Sequence, residues 1–386
     1  MSCRVSVCDF PPGTISKPRA SSPNHRSRLA AREWRKTVAI WNIGFGLLAK
    51  GSAATAILIR PALFPILAIS LALAVVLWTG RSSAQTTPQP VASLKGVRVA
   101  ITVDDLPTHG DPFPGIDRDA ISRAILAALA NNNVKGAWGF TNEAWDEKEM
   151  DILREWLSAG YPLGNHTFSH LDLDNVDVHA YTSDIAHQDQ ILGSLANFSS
   201  LIAKRKMFRY PFLAEGSTLA KRNEVRQYLF GKGYRVAEVT TDYLDWTWTD
   251  AYRRCLIHND EKSIEWLRTH VNDAADRYLS LSVEMARKLF HRDIDQILLI
   301  HIGAFDALTL DGILREWRSK GVKLIPLEEA LQDPVYKINP NLPNEGGLSF
   351  LEQIAEARDF DTRPFVETTY TIESLKKVCE QSTPAH

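Results

Sequence analysis

Two short stretches of this sequence hold residues that could bind a metal ion and use it. His166 and His170 stand four apart in His-Thr-Phe-Ser-His, and Asp104 and Asp105 sit side by side after the apolar run 97–103. If the HxxxH segment is one helical turn, its imidazoles share a face and converge on one ion. Two imidazoles and one carboxylate leave positions open for water and substrate, the donor set of a hydrolytic metal centre. Spacing alone also fits ordinary surface or capping histidines, and an acidic pair can cap a helix or lie in a solvated loop. The place of Asp104-Asp105 at the end of an apolar strand favours metal chemistry. One carboxylate can ligate while the other accepts a proton from water.

Three further segments carry candidates. Arg209, in Arg209-Tyr210-Pro211-Phe212, could form a structural ion pair or hold the Asp104 carboxylate by a charge-assisted hydrogen bond. His301 is embedded in the apolar run 297–303, where a histidine suits a core role. Facing a metal, it would be the natural general acid for a leaving amine or alcohol. Asp245, in Asp242-Tyr243-Leu244-Asp245-Trp246, could orient it and raise its pKa. Trp246 would then wall the pocket with an apolar body.

A parallel β/α arrangement would bring these residues together. Apolar runs at 97–103, 136–140, 161–166, 207–212, 234–240, 297–303 and 322–327 alternate with helix-like segments at 119–131, 147–159, 178–201, 220–232, 261–290 and 307–320. Gly160, Gly233 and Gly321 stop three of these segments. Such alternation implies parallel β/α units. Runs that are apolar on both faces imply helices covering the sheet, hence a barrel or near-barrel rather than a sandwich. In these folds the C-terminal strand ends carry the chemistry, and all the candidates lie at such ends. Residues 247–290 form a longer connection, expected as helices near the rim of the site, and 332–386 form an extension whose role the sequence leaves open.

Taken in order, T-V-D-D (102–105), H-T-x-x-H (166–170), R-x-P-F (209–212), D-x-x-D-W (242–246) and L-x-I-H (298–301) resemble the motifs of the polysaccharide deacetylase family, the NodB-homology or carbohydrate esterase family 4 enzymes. The resemblance spans roughly 97–331. It implies a distorted (β/α) barrel of about seven parallel strands and metal-dependent removal of acetyl groups, N-acetyl above O-acetyl, from a glycan. It implies Asp104 as general base, Asp105, His166 and His170 as metal ligands, and Arg209 as tether of the base. Asp245 would tune His301, the general acid, and the Phe212 N–H would help hold the oxyanion. Pro211 and Trp246 would line the pocket. Zn2+ is the default ion for such donors, and Co2+, Ni2+ or Mn2+ could serve. Val103 and Phe212 stand where the family more often has Phe and Tyr. Rival readings are an O-acetyl esterase, a small-molecule amide or imide hydrolase, and a non-catalytic glycan-binding protein of the envelope.

The N-terminal part has another character. Residues 1–60 form a basic leader, and 61–84 continue as an apolar stretch that ends in Ser82-Ser83-Ala84. That layout fits a secretory signal cleaved after Ala84, or an uncleaved membrane anchor through 61–80. On either reading the basic flank predicts the same orientation, which exports the rest of the chain to the periplasm, the envelope or the medium; 85–96 would be a linker. The long lead before the apolar stretch reads as a cytoplasmic tail or a misassigned start. Of 44 Lys+Arg and 46 Asp+Glu, residues 1–84 hold 11 and 2, so the remainder carries an excess of eleven acids. An acidic exported domain argues against nucleic acid or an anionic membrane surface as partner. Cys255 and Cys379 could form a disulfide there, or remain two buried thiols.

Overall fold

A computed structural model describes residues 92–110, 113, 115–195 and 206–380. The expected leader and signal or anchor segment lie outside them. Among the described residues no helix is long and apolar enough to cross a membrane.

The first strand, β1 (Arg98–Leu106), organises the rest. Its side chains alternate, as a pleated strand requires. Val99, Ile101 and Val103 join the large core under the helices, while Ala100 joins a second core inside the sheet with Trp138, Phe140, Met207 and Ile297. Asp104 falls in the inward series with Ala100 and Thr102. The other strands are β2 (Trp138–Thr141), β3 (Leu163–Asn165), β4 (Lys206–Phe208), β5 (Tyr234–Val236), β6 (Thr241–Asp242), β7 (Gln296–His301) and β8 (Lys323–Ile325). They pair in parallel in the order β5-β4-β3-β2-β1-β7-β6. β8 pairs with Arg98–Ala100 of β1, on the edge that β2 occupies from Thr102 onward.

The two ends of that path are joined by the chain itself. Ala237 N–H donates to Phe208 O at 2.8 Å, and Thr240 N–H donates to Ile297 O at 3.0 Å. Residues 237–240 therefore lead from the β4 side to the β7 side, and the sheet curls into the expected distorted barrel. Of the strand expected at 234–240 only 234–236 is strand; 237–240 make this crossing, and β6 begins beyond it. The strand expected at 207–212 stops at Phe208, because Pro211 has no N–H to extend a ladder and starts a 3-10 turn, Pro211–Leu213.

Helices α1 (Arg118–Asn131), α2 (Glu147–Ser158), α3 (Val178–Leu195) and α4 (Leu219–Gly231) follow the first four strands. The segment 247–290 belongs to α5 (Asp245–His258) and α6 (Glu261–Phe290), which make the crossover from β6 to its neighbour β7. Only the first turn of α5 reaches the site. Ile264, Leu267, Val271 and Leu279 of α6 are buried in the large core, so α6 is part of the outer layer rather than the rim. Helix α7 (Ala304–Ser319) completes that layer, and the short α8 (Leu327–Ala330) follows β8.

The C-terminal extension packs back onto this body. Phe350, Leu351 and Ile354 of α9 (Phe350–Ala357) meet Met285 and Leu289 of α6. Beyond the last short helix, α10 (Ile372–Lys376), Cys379 is disulfide-bonded to Cys255 of α5, with Cα atoms 5.2 Å apart and a sequence separation of 124. Closing a loop of that size removes about 4–5 kcal/mol of unfolded-chain entropy. Peptide mapping of the unreduced protein should recover a linked 255–379 pair, and reduction should lower the melting temperature by several degrees. Free thiols at both positions before reduction would contradict the link.

Candidate active site

Arg209, just beyond β4, is 1% exposed, and its guanidinium is bonded on all sides. Nη1 donates to both oxygens of Asp104 at 3.2 and 3.1 Å, Nη2 to Thr102 Oγ1 at 3.0 Å, and Nε to Ala237 O at 2.7 Å. The guanidinium carbon also lies 4.7 Å from the centre of the Phe140 ring. A buried guanidinium needs such a set of acceptors. Their consequence is that the Asp104 carboxylate has a fixed place at the mouth of the barrel.

Alternation would send Asp105 outward, but its backbone is left-handed, at φ 64°, and the β1–β2 register shifts between Val103 and Leu106. Such a break re-aims one side chain. Asp105 thereby joins Asp104 on the site side, where Oδ1 accepts from Asn142 Nδ2 at 2.7 Å. Oδ2 meets His109 Nδ1 at 2.7 Å. Burial opposes its charge, yet the His170, His109 and His166 imidazoles around it hold its pKa well below the usual carboxylate range.

The HxxxH segment is not a helical turn. His166–His170 follow β3 as a bent loop with Thr167 and His170 left-handed, at φ 58° and 49°. Asn165 Oδ1 accepts the Thr167 N–H at 2.9 Å, and Asp184 of α3 accepts the Ser169 N–H at 2.8 Å. The histidines still converge. His166 Nδ1 lies 2.8 Å from the Arg209 carbonyl oxygen, which can only accept, so Nδ1 carries a hydrogen and Nε2 is the nitrogen turned toward the carboxylates. His166 Nε2 and His170 Nε2 stand 3.5 and 3.2 Å from Asp105 Oδ1. Ligand bonds of roughly 2.0–2.2 Å place neighbouring donors about 3.0–3.5 Å apart, so the three atoms fit the corners of one coordination shell. Burial lowers the His170 pKa to about 4 despite Asp105, which keeps the imidazole neutral as a ligand must be.

Opposite them, His301 ends β7, and Asp245 opens α5. Asp245 Oδ2 accepts the His301 backbone N–H at 2.6 Å, and its two oxygens lie 3.0 and 3.1 Å from His301 Nδ1. Burial works against a charge on His301, but the Asp245 carboxylate outweighs it and raises the pKa to about 10. Asp242, the other acid of that motif, accepts the Leu244 N–H instead, at 2.7 Å. Behind Asp245 lies Asp306, which accepts from the Tyr243 hydroxyl at 2.9 Å. Burial and the adjacent Asp245 push Asp306 well above the carboxylate range, so it stays protonated and can share a hydrogen bond with Asp245.

The turn after Arg209 is held from outside the barrel. Phe212 and Leu213 are left-handed, at φ 57° and 55°, a conformation that costs about 1–2 kcal/mol per residue. Asn344 of the C-terminal extension braces them. Its Nδ2 donates to Leu213 O at 2.9 Å, and its backbone bonds Glu215 N–H and Gly216 O at 3.2 and 3.0 Å. Gly347 packs so close that a Cβ there would come within 1.8 Å of Phe212 O. Phe212 is exposed, 4.5 Å ring to ring from His170, and its N–H has no protein acceptor among the described residues. Pro211, expected in the pocket wall, is buried as the first residue of the turn. Trp246 is half-buried in the first turn of α5.

Sequence reading missed His109, Asn142, Asp306 and the Asn344–Gly347 brace. Only the Asp105-x-x-x-His109 spacing offered a signal, and it reads as a loop histidine. In the cation-free protein the charge on His301 contributes its full stability below the unfolded pKa, about 6.5. That contribution is lost as the pH rises through about 10. Asp245→Asn should lower the His301 midpoint by more than one pH unit in a histidine NMR titration, and an unmoved midpoint would break the assignment. Gly347→Ala should displace Phe212, cutting kcat at least tenfold (about 1.4 kcal/mol) while cation affinity stays as it was. Unchanged kcat would remove the brace from the account.

Residues 92–235 match the family model described as polysaccharide deacetylase. Among curated proteins, the chain is 28% identical over 148 residues to a peptidoglycan-N-acetylglucosamine deacetylase of Bacillus cereus, covering 38% of this chain and 46% of that one. It is 26% identical over 153 residues to a chitin deacetylase of Pestalotiopsis sp, covering 39% and 44%. The chain thus spans less than half the length of the curated relatives it matches. Among solved structures, the peptidoglycan deacetylase PdaC of Bacillus subtilis aligns at 20% identity and a TM-score of 0.41, over 64% of this chain and 96% of that one. Through residues 92–235, which hold three of its five ordered strand-end motifs, the chain is similar to the polysaccharide deacetylase family.

Proposed function

We propose that the chain is an exported, divalent-cation-dependent deacetylase that hydrolyses acetyl groups, N-acetyl before O-acetyl, on a carbohydrate polymer or oligomer. The observation that carries the reading is one barrel mouth holding three parts. These are a carboxylate fixed by a guanidinium, a donor set of two imidazoles and one carboxylate, and a histidine backed by a carboxylate. The peptidoglycan and chitin deacetylases among its relatives support a β-linked amino-sugar polymer as substrate. The leader and the Cys255–Cys379 link support an oxidising compartment outside the cytoplasm.

Asp105, His166 and His170 would hold a divalent cation, Zn2+ by default, which would supply Lewis-acid polarisation of the acetyl carbonyl and a more acidic attacking water. The protein does the rest. Asp104, kept in place by Arg209, accepts a proton from the water as its oxygen bonds to the carbonyl carbon. The Phe212 N–H is a free donor for the oxyanion. His301, its Nδ1 anchored on Asp245, gives the Nε2 proton to the leaving nitrogen as the C–N bond breaks, and acetate departs. Exposed Phe212 beside His170, and exposed Trp145, which packs 4.7 Å from Phe168 across the neighbouring loop, offer apolar faces to sugar rings.

Acetate release should be measured on chitin oligomers, peptidoglycan and acetyl-xylan with the cation-loaded protein. N-acetylated substrates should react faster. A preference for acetyl-xylan would make the protein an O-acetyl esterase, and no release from any glycan would overturn the reading. Asp104→Asn should keep its cation and lose at least 100-fold in kcat, in the range of a lost general base. His166→Ala should lose the cation itself. A fully active Asp104→Asn would show that another group is the base.

A further inference from the structure

Asp105 is the one ligand of the set with two oxygens, and a carboxylate that turns both toward a cation occupies two coordination positions. In this protein the two oxygens have separate duties. Oδ1 faces His170 Nε2 at 3.2 Å and His166 Nε2 at 3.5 Å. Asn142 Nδ2 donates to that same oxygen at 2.7 Å and fixes its direction. Oδ2 points the other way and is met by His109 Nδ1 at 2.7 Å. A carboxylate oxygen only accepts, so Nδ1 carries the hydrogen.

We infer that His109 is a positioning residue that caps Asp105 Oδ2, so that Asp105 offers a cation a single oxygen and leaves the remaining positions to water and substrate. The cap is local. His109 follows Asp105 by four residues, across the Leu106-Pro107 turn, and comes from no other strand. Its ring is partly buried and lies 4.6 Å, centre to centre, from the His301 ring. His109 therefore also fills the space between the cation ligand and the proton donor. Partners that hold a ligand in this way typically change affinity by about 10- to 100-fold when removed.

The inference rests on the reading of Asp105, His166 and His170 as a cation site. Its test is a Zn2+ titration of the cation-free full chain against a chelating indicator, with a Co2+ absorption spectrum beside it. Wild type, His109→Ala and His109→Asn are compared. The Asn side chain presents an N–H where Nδ1 was and lacks a counterpart of Nε2. His109→Ala should bind Zn2+ about 10- to 100-fold more weakly. Its bound Co2+ should absorb less in the visible range, because a freed Oδ2 raises the coordination number. His109→Asn should recover most of the affinity and the wild-type spectrum. Wild-type affinity and spectrum in His109→Ala would overturn the cap. A His109→Asn protein as impaired as His109→Ala would overturn it too, since His109 Nε2 would then be a ligand; Asp105, His109 and His301 also lie close enough to share one ion. A wild-type chain that binds no Zn2+ would bring down the cation site itself, a failure distinct from both.

Discussion

A guanidinium buried inside a barrel must be neutralised, and the way Arg209 is neutralised sets the positions of much of the site. Its partners come from β1, through Thr102 and Asp104, and from the crossing after β5, through Ala237. Its own backbone takes part as well. The Arg209 N–H donates to Asn165 O at the end of β3, and its carbonyl receives His166 Nδ1. One residue thus fixes the carboxylate assigned as base and the tautomer of one imidazole assigned as ligand. Leaving Asp104 buried without this partner costs about 3–5 kcal/mol, so stability and the chemistry of the site share one interaction.

The remaining geometry comes from loops forced into left-handed backbone. Asp105, Thr167, His170, Phe212, Leu213 and Leu244 all have positive φ, and all lie in the strand ends and loops at this one mouth of the barrel. Strain of this kind persists where surrounding contacts over-determine it. Those contacts are visible here. Asn165 and Asp184 hold the HxxxH loop, Asn142 and His109 hold Asp105, and Asn344 and Gly347 hold the Phe212 turn. The C-terminal extension therefore belongs to the site's support, and the disulfide at its end ties that support to α5, the helix that begins at Asp245.

Much of this was legible in the sequence because polar residues ending apolar strands stand out. Asp104, Asp105, His166, His170, Arg209, Asp245 and His301 were each readable by position, and the structure brings them to one mouth of the barrel. Less legible was where pairing stops. The apolar run at 234–240 gives no sign that its second half crosses between barrel edges. The convergence of the two histidines was expected from a different geometry. A four-residue spacing suited a helical turn, while the observed loop reaches the same convergence with two left-handed residues. His109 and Asn344 were invisible for a common reason. Each acts through specific hydrogen bonds made from a polar, aperiodic segment, and hydrophobic pattern carries no trace of such bonds.

The proposed chemistry requires one cation among Asp105, His166 and His170, beside an Asp104 held by Arg209. Anomalous diffraction at the zinc edge from a Zn2+-soaked crystal tests it most directly. One strong peak is expected roughly 2.0–2.2 Å from Asp105 Oδ1, His166 Nε2 and His170 Nε2, with Asp104 outside the shell and still on Arg209. No peak at that position, or a peak ligated by Asp104 in place of Asp105, would contradict it.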